Sequence, residues 1–301
     1  LSSAASDVYK RQMQECAAEQ LKSTILVFDA FHDVAEKATD GNNLAKSVIE
    51  SWANAEWFLK NKEVPKSIKT IVFKANGETN TDDLSPAQDA WSRPDIPLHA
   101  LAMFKMERDG LTPDIPGEIG PMIQIEEIKS NNLPVTFIGD VLGTGSSRKS
   151  ATNSVLWFFG DDIPGVPNKR SGGICFGTKV APIFFNTMED AGALVFEASV
   201  DDISHGDIVE IFPYDGKIVD EVGNIITTFS HKSDVILDEV RAGGRINLIV
   251  GRGLTQRARD FLNLPATEVF REPTVQDESQ KGYTLAPVSY THLTLPTKEG
   301  V

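Results

Sequence analysis

The run Gly143–Ser150, with the sequence Gly-Thr-Gly-Ser-Ser-Arg-Lys-Ser, combines glycines, hydroxyls and two adjacent cations. It follows an apolar, β-branched segment, 135–141, that is typical of a buried strand, and it precedes a helical pattern at 150–159. A helix N-terminus presents unpaired N–H groups and the positive end of the helix dipole. The run therefore predicts a site that holds a phosphate or a carboxylate.

Known anion-binding and nucleophile motifs do not match this run. A Walker A loop needs glycine directly before Lys149, and the dinucleotide fingerprint needs its third glycine at the same position, where Arg148 stands. The Gly-x-Ser-x-Gly elbow of serine hydrolases is absent, because Ser146 directly follows Gly145. An ordinary glycine-rich turn between a strand and a helix remains an alternative on spacing alone.

A second polar segment lies upstream, at 78–87, and contains Thr-Asp-Asp-Leu-Ser. It is followed by Trp-Ser-Arg-Pro at 91–94. Taken alone, Asp82 and Asp83 are typical of residues that cap a turn. Together with the serine-containing run, they indicate a polar site built from two separate parts of the chain.

The two segments together resemble the swivel domain of the aconitase superfamily. Longer strings at 77–86, 91–100, 143–157 and 181–194 resemble its bacterial B-type branch, and the resemblance runs from about Met13 to about Pro287. It implies an α/β fold: a compact β/α swivel domain preceded by an α-helical, HEAT-like hairpin. It also implies a cytoplasmic hydro-lyase of the tricarboxylic acid cycle that isomerises citrate to isocitrate through cis-aconitate.

The resemblance assigns roles to residues of both segments. It implies that Arg93 and Arg148 bind substrate carboxylates, which suits the forked guanidinium group. Ser146 would act as the catalytic base and contact substrate, and Ser147 would also bind substrate. A serine can serve as base only where positive potential lowers its pKa, and Arg148 and a helix N-terminus would provide that potential.

Asp82 matches a family position that belongs to the polar network around the site. Asp83 stands where other branches often carry histidine, so no histidine role is carried over. The five histidines, at positions 32, 99, 205, 231 and 292, share no metal-ligand spacing, which favours surface or packing roles.

Cysteine content limits what this chain can do alone. The family's [4Fe–4S] cluster is held by three cysteine thiolates. Only Cys16 and Cys175 are present, far apart and without Cys-x-x-Cys spacing, which favours packing roles. The resemblance places the cluster ligands in domains C-terminal to this segment. The chain is therefore expected to be a fragment that binds no metal and is inactive alone.

Charge and hydropathy restrict the partners. With 43 acidic and 29 basic residues, the net charge of −14 disfavours a general polyanion-binding surface. No apolar run long enough for a membrane span and no secretory signal is visible. The resemblance implies citrate, isocitrate and cis-aconitate as ligands, the missing catalytic domains as partners, a homodimer formed through the helical domain, and mRNA binding by the cluster-free form.

Five segments are predicted: a non-native extension at 1–12, a HEAT-like helical segment at 13–62, the swivel domain at 68–265, a linker at 266–287 and a non-native tail at 288–301. The helical segment is predicted as two amphipathic helices. Their apolar positions are Leu21, Ile25, Phe28 and Val34 in the first, and Leu44, Val48, Trp52 and Leu59 in the second. Gly41 and Asn42-Asn43 supply the caps between them. A simple hairpin packed on the next domain is the alternative to a truncated helical array.

The pattern of the main domain predicts alternating strands and helices. Strands are expected at 69–74, 135–141, 193–200, 207–213, 217–220, 225–229 and 246–250, and helices at 98–108, 119–131, 150–159, 235–241 and 255–262. Residues 164–173 are predicted as a flexible basic loop. Gly251-Arg252-Gly253 is predicted as a turn that carries a further cation.

Two other functions stay open at this point. One is the small subunit of a 3-isopropylmalate dehydratase-like enzyme, which is a swivel domain made as a separate chain. The other is a non-enzymatic interaction or RNA-binding module, which the acidic charge disfavours. Within the aconitase interpretation, the sequence does not distinguish citrate from 2-methylisocitrate as the substrate.

Overall fold

The computed structural model describes residues 3–25, 30–146 and 149–272, and a mixed sheet lies at its centre. The strands are β1 Ile68–Asn80, β2 Val135–Thr144, β3 Asp161–Ile163, β4 Val166–Ser171, β5 Ile174–Val180, β6 Leu194–Glu197, β7 Ile208–Phe212, β8 Lys217–Val219 and β9 Ile225–Thr228. The seven-stranded sheet has the order β6-β5-β2-β1-β7-β8-β9, while β3 and β4 form a separate hairpin.

Helices surround this sheet and also form an N-terminal segment. They are α1 Ser3–Ser23, α2 Phe31–Thr39, α3 Asn43–Ala53, α4 Glu56–Leu59, α5 Thr81–Leu84, α6 Ile96–Ala100, α7 Met122–Lys129, α8 Lys149–Phe159, α9 Pro182–Asp190, α10 Ile236–Ala242 and α11 Arg245–Phe261. The α/β fold class expected from the sequence is confirmed. Among the described helices, none combines the length and apolar character needed to cross a membrane.

Four of the seven strands of the central sheet are parallel and largely buried. Strands β1, β2, β5 and β6 run in one direction, whereas β7 pairs antiparallel with β1 and continues into β8 and β9. Consecutive residues of β1 and β2, such as Val72-Phe73 and Phe137-Ile138, are all fully buried. Both faces of these strands are therefore covered, as is usual for parallel sheets. All four parallel strands end at the same edge of the sheet.

The helical segment has its own apolar core, to which the last helix contributes. Trp52 of α3 is fully buried among residues of α2 and α3 and beside Leu254 and Ala258 of α11. A second cluster joins Trp57 and Phe58 to Phe270, near the end of the described chain. Helix α11 thus ties the N-terminal helices to the part of the chain that contains the sheet.

The expected pair of long helices is wrong, because each is interrupted. The first pattern divides into α1 and α2, and Phe28 lies outside the described residues. The second divides at Ala55, whose left-handed conformation (φ 53°) ends one helix and starts the short α4. The predicted caps are confirmed, since the side chain of Asn42 accepts hydrogen bonds from the N–H groups of Leu44 (3.0 Å) and Ala45 (3.1 Å).

The strand expected at 246–250 and the turn expected at Gly251-Arg252-Gly253 are wrong, because both lie inside α11. Leu248 and Leu254 are buried, whereas Ile246 and Ile249 are 52% and 60% exposed. This burial follows the period of a helix rather than the alternation of a strand. The β-branched run between glycines has the composition of a strand. Packing against the N-terminal helices nevertheless stabilises it as a helix.

Two further expectations are corrected. The helix predicted at 98–108 ends at Ala100, and turns follow up to Phe104, whose φ of 56° no helix accommodates. The flexible loop predicted at 164–173 is mainly strand β4, paired with β3 and held by the contact of Arg170 over the Trp157 ring (4.7 Å). Part of the linker, the tail at 288–301 and His292 lie outside the described residues.

Gly251 allows α11 to approach the N-terminal helices. A Cβ atom at this position would lie 2.2 Å from the ring of Trp57, which is itself 5% exposed and donates its Nε1–H to Thr255 Oγ1 (3.0 Å). We expect Gly251→Ala to lower the free energy of unfolding by about 1–3 kcal/mol, despite the helix preference of alanine. Urea unfolding followed by circular dichroism would measure this loss. The loss should largely disappear in a Trp57→Leu background, and an equal loss there would contradict the proposed clash.

Glu239 of α10 lies in a half-buried, acidic environment. Burial, reinforced by the nearby carboxylate of Glu189, raises the pKa of Glu239 to about 7, and its Oε2 has no hydrogen-bond partner among the described residues. The cation of Arg245 opposes this shift, whereas Asp190 and Asp238 add to it. Because the folded-state pKa exceeds that of the unfolded chain, stability present below pH 4.5 is lost as the pH rises through about 7.

We therefore expect Glu239→Gln to raise the free energy of unfolding by about 1–2 kcal/mol near pH 8, after allowance for solvent screening. Near pH 4, where both side chains are neutral, the variant and the parent should differ little. Chemical denaturation across this pH range would test the effect. Glu127→Gln, at an exposed position of α7, serves as the control and should give a flat difference. A gain for Glu239→Gln that does not depend on pH would contradict the assignment.

Candidate functional site

The carboxyl ends of the central parallel strands form the edge where the predicted site residues lie. Strand β1 leads into α5, β2 leads through the serine-containing turn towards α8, and β5 leads into α9. Three helices thus begin at one edge of the sheet. In open α/β sheets this edge is where ligands bind.

The parallel register of β1 and β2 brings the two sequence segments together. Asn80, the last residue of β1, pairs with Thr144, the last residue of β2. Directly beyond them, the hydroxyl of Thr81 donates a hydrogen bond to the main-chain carbonyl of Ser146 (2.7 Å). The turn that contains Ser146 is therefore attached to the first residue of α5.

Each residue of Gly143-Thr144-Gly145 has a separate structural reason. A Cβ atom on Gly143 would lie 2.2 Å from the side chain of Phe184, so α9 packs directly on this backbone. The hydroxyl of Thr144 donates to Glu78 Oε1 on β1 (2.6 Å). Gly145 has a φ of 88°, which favours glycine. The run is thus a constrained turn, and Ser146 is exposed at its end.

The two aspartates of α5 have different surroundings. The side chain of Asn80 accepts from the N–H groups of Asp82 (2.7 Å) and Asp83 (3.0 Å), and Asp83 accepts in return from the N–H of Asn80 (2.9 Å). This is a capping box, so the capping interpretation holds for Asp83. Asp82 accepts a longer bond from the N–H of Ala87 (3.4 Å) and lines a cavity.

Arg108, which the sequence analysis did not single out, holds the end of β1 against the following loop. Its guanidinium donates to the carbonyls of Asn76 (2.6 Å) and Glu78 (2.9 Å), lies 3.6 Å from Asp83 Oδ2 and stacks over the Phe104 ring (5.0 Å). Apart from Phe104, these partners are distant in sequence, so no local spacing predicts the contacts. Arg108 supports the turn that carries Asp82.

Arg93 lies in the segment between α5 and α6. Its guanidinium donates to the carbonyls of Glu118 (2.8 Å) and Leu98 (3.4 Å), which hold the side chain against the loop. A guanidinium has five N–H donors, so these two bonds leave capacity for a carboxylate. The segment also contains Trp91, whose side chain is 96% exposed.

The edge contains separate cavities. One, of about 420 Å³, is lined by Arg93 and includes Ser150 and Asn153 from the first turns of α8. A second, of about 510 Å³, contains Asp82 with the following charged neighbours: Glu78, Asp83, Lys105, Glu107 and Arg108. Ala87 borders both. The Arg93 cavity suits an anion better, because one carboxylate, that of Asp95, lines it, whereas four carboxylates line the Asp82 cavity.

A third, smaller cavity of about 150 Å³ lies where the serine-containing turn meets the start of α9. Thr81, Gly143 and Gly145 line it together with Pro182. The structure therefore brings Ser146 next to the Asp82 turn, while Asp82 and Arg93 face different cavities. Ser147 and Arg148 lie outside the described residues, and the roles of all the candidate residues stay predictions.

The cysteines do not fit an iron–sulfur cluster. Cys16 is exposed on α1, whereas Cys175 is buried in β5, where burial raises the pKa of its thiol well above the usual range. A cluster ligand must be a thiolate, which this burial disfavours. Within the part of the chain that the structure describes, no three His, Cys, Asp or Glu side chains are grouped so that they could hold a metal ion.

Comparison with known proteins identifies two family models along the chain. The model described as the N-terminus of aconitate hydratase 2 matches residues 70–283, and the model described as the aconitate B N-terminal domain matches residues 3–58. The first covers well over half of the chain.

Several relatives are named aconitate hydratase B. The protein from Pseudomonas aeruginosa is 63% identical over 276 residues, which is 91% of this chain and 32% of that protein. Those from Escherichia coli and Helicobacter pylori are 59% and 52% identical, over 90% of this chain and 31% and 30% of their own lengths. The chain thus spans about a third of the length of these curated relatives.

A search of solved structures finds 3-isopropylmalate dehydratase from Methanocaldococcus jannaschii, with a TM-score of 0.44 and 20% identity, covering 64% of this chain and 99% of that one. An overlap this loose does not decide between functions. The family models and the named relatives do decide the family: the chain belongs to the aconitate hydratase B family.

Proposed function

We propose that the complete protein is an aconitate hydratase, a hydro-lyase that interconverts citrate and isocitrate through cis-aconitate. This chain would contribute the swivel domain, which forms one wall of the active site. The observation that carries the proposal is the hydrogen bond between Thr81 and Ser146, which joins the two family segments at one edge of the sheet. Family membership supports the reaction class.

In this proposal Arg93 holds a carboxylate of the substrate. The three carboxylates of citrate need several donors, and a guanidinium can grip one of them with two parallel bonds. The cavity beside Arg93 adds the hydroxyl of Ser150 and the amide of Asn153 as neutral polar groups. Ser147 and Arg148 complete the anion site in the proposal, as their family positions imply.

Ser146 is proposed as the base that removes a proton from the carbon next to a carboxylate. Its carbonyl is bound by Thr81, so the residue is held by its main chain while its side chain remains exposed. A positioned base contributes to rate only when it lies within hydrogen-bond reach of the proton. Asp82, which directly follows Thr81 on α5, is proposed to support the polar surroundings of the site.

The family's iron–sulfur chemistry is not assigned to residues of this chain. Neither cysteine fits a cluster ligand, so we derive no step of the reaction through the cluster. The proposal places the cluster and its ligands in the part of the complete protein outside this chain. The chain alone should then bind substrate without converting it.

Four further features of the complete protein are also proposals. They are a cytoplasmic location, a homodimer formed through the helical segment, mRNA binding by the cluster-free form and 2-methylisocitrate as a second substrate. The net charge of −14 disfavours RNA as a general partner of this chain. Salt-dependent retention of RNA by the chain would support that partner, and retention that does not depend on salt would not.

Substitution of Ser146 tests the proposed base. In the complete, cluster-loaded protein, we expect Ser146→Ala to lower kcat by roughly 10²–10⁴-fold, because a positioned base is lost. The KM for citrate should change little, since Arg93 remains in place. Steady-state kinetics followed by cis-aconitate absorbance would measure both constants.

Ser130→Ala, at an exposed position after α7, is the matched control and should behave like the parent. Near-normal turnover in Ser146→Ala, combined with loss of activity in Ser147→Ala, would move the base to the neighbouring serine. If neither substitution changed kcat, the turn would have only a structural role.

Citrate binding by the chain alone tests the proposal that it contributes only one wall of the active site. Because only part of the carboxylate-binding site is present, we expect a Kd of about a millimolar or weaker. Arg93→Ala should weaken this binding further, whereas Arg257→Ala, on α11, should leave it unchanged. Isothermal titration calorimetry would measure it, and micromolar binding would indicate a self-sufficient citrate sensor instead.

A further inference from the structure

His99 of α6 is a buried side chain whose two ring nitrogens both contact polar atoms. Only 9% of the residue is exposed. Its Nε2 lies 2.7 Å from the hydroxyl oxygen of Ser85, and its Nδ1 lies 3.3 Å from the main-chain carbonyl oxygen of Arg93. Ser85 is 2% exposed and follows directly after α5. The imidazole thus connects Ser85, in the polar segment 78–87, with Arg93, in the segment 91–94.

The chemistry of these partners assigns the tautomer of His99. A carbonyl oxygen can only accept, so Nδ1 must carry the proton and donate it to Arg93. In a neutral imidazole the other nitrogen is then an acceptor, so the hydroxyl of Ser85 donates to Nε2. Both bonds have one defined direction, which fixes the orientation of the ring.

Arg93 is held from two sides by the same short stretch of chain. Its carbonyl accepts from His99, while its guanidinium donates to the carbonyl of Leu98, the residue directly before His99. A second guanidinium bond to the carbonyl of Glu118 (2.8 Å) completes the set. Leu98 and His99 of α6 therefore help to orient both the side chain and the main chain of Arg93.

We propose that His99 and Ser85 are positioning residues for Arg93, which set the direction in which its guanidinium faces the carboxylate in the 420 Å³ cavity. His99 and Ser85 also border this cavity, but both ring nitrogens of His99 are already engaged by Ser85 and by the Arg93 carbonyl. Substrate contact is therefore assigned to Arg93, and His99 acts through it. This inference rests on the proposed function, because it assumes that Arg93 binds a substrate carboxylate.

Apolar packing alone would not require this arrangement. A buried imidazole loses its hydration and is retained at low cost only when both nitrogens are satisfied. A leucine of similar volume would fill the same space without needing Ser85. The hydrogen bonds from Ser85 to His99 and from His99 to Arg93 instead suit a substrate contact that must be held in place. Small displacements of such a contact weaken binding strongly.

Kinetics of the complete, cluster-loaded protein test the inference. We expect His99→Leu to raise the KM for citrate by about tenfold, the scale of one lost hydrogen bond to a charged group, with a smaller fall in kcat. Ser85→Ala should act in the same direction. His99→Asn, whose amide can still donate to the Arg93 carbonyl, should recover most of the loss. His231→Leu is the matched control, because His231 contacts a main-chain carbonyl outside the site (Pro213, 2.7 Å), and it should leave KM unchanged.

A double-mutant cycle separates positioning from general stability. If His99 acts through Arg93, His99→Leu should add nothing to KM in an Arg93→Ala background. An equal rise in both backgrounds would overturn the inference and leave His99 with a purely structural role. Should His99→Leu fail to fold, Ser85→Ala carries the same cycle with the same two outcomes.

A spectroscopic measurement keeps the inference distinguishable from the proposed function. Ring nitrogen NMR of the ¹⁵N-histidine-labelled 301-residue chain should show His99 with its proton on Nδ1, and Ser85→Ala should shift the Nε2 signal. If both NMR results are observed but Arg93→Ala leaves the citrate KM unchanged, the proposed substrate role of Arg93 is wrong, although the hydrogen bonds of His99 are as described. A proton on Nε2, or no response to Ser85→Ala, would overturn the positioning chain itself.

Discussion

The parallel pairing of β1 with β2 is the constraint on which the site depends. It aligns Asn80 with Thr144, so the two chain segments that follow must leave the sheet at the same edge. The bond between Thr81 and Ser146 is then a short local contact, although its partners are 65 residues apart. A shift of the register by one residue would reverse the faces of a fully buried strand, so the core specifies the site as firmly as it specifies the fold.

Charges divide the edge of the sheet into two regions. Lys105 forms an ion pair with Asp89 (2.7 Å), and Arg108 forms one with Asp83 (3.6 Å). Further carboxylates line the same cavity. Arg93 donates to main-chain carbonyls in the contacts described above, whereas Asp95, the carboxylate that lines the same cavity, accepts from the N–H of Leu98 (2.8 Å). An anion at this edge is therefore drawn to the Arg93 cavity. The direction of that guanidinium matters more than the number of nearby cations.

Local chemistry decides those parts of the structure that are predictable from the sequence. The strand at 135–141, the asparagine cap of α3 and the helix after the serine-containing turn follow from composition and spacing over a few residues. The resemblance of the two motif segments to the family was also visible in the sequence, and the comparisons confirm it.

Packing between distant segments decides the parts that are not predictable from the sequence. Residues 246–250 form a helix because the neighbouring N-terminal helices cover one side of α11, which a local window does not contain. Arg108 was missed for the same reason, because the carbonyls that it binds belong to β1, 32 and 30 residues away in sequence. His99 was expected to have a surface or packing role, because its spacing from the other histidines does not reveal its partners Ser85 and Arg93. Likewise, the spacing of Asp82 and Arg93 in the sequence does not reveal that they line different cavities.

The central claim is that the carboxyl edge of the parallel strands, beside Arg93, binds a tricarboxylate. A citrate titration of the ¹⁵N-labelled chain, carried to concentrations on the order of tens of millimolar to match weak binding, tests it most directly. The account predicts that the largest amide shifts fall on Arg93 and Ser146 and on Ser150 and Asn153 of α8. Largest shifts around the cavity of about 570 Å³ at the opposite edge, near Lys129 and Arg241, would contradict it.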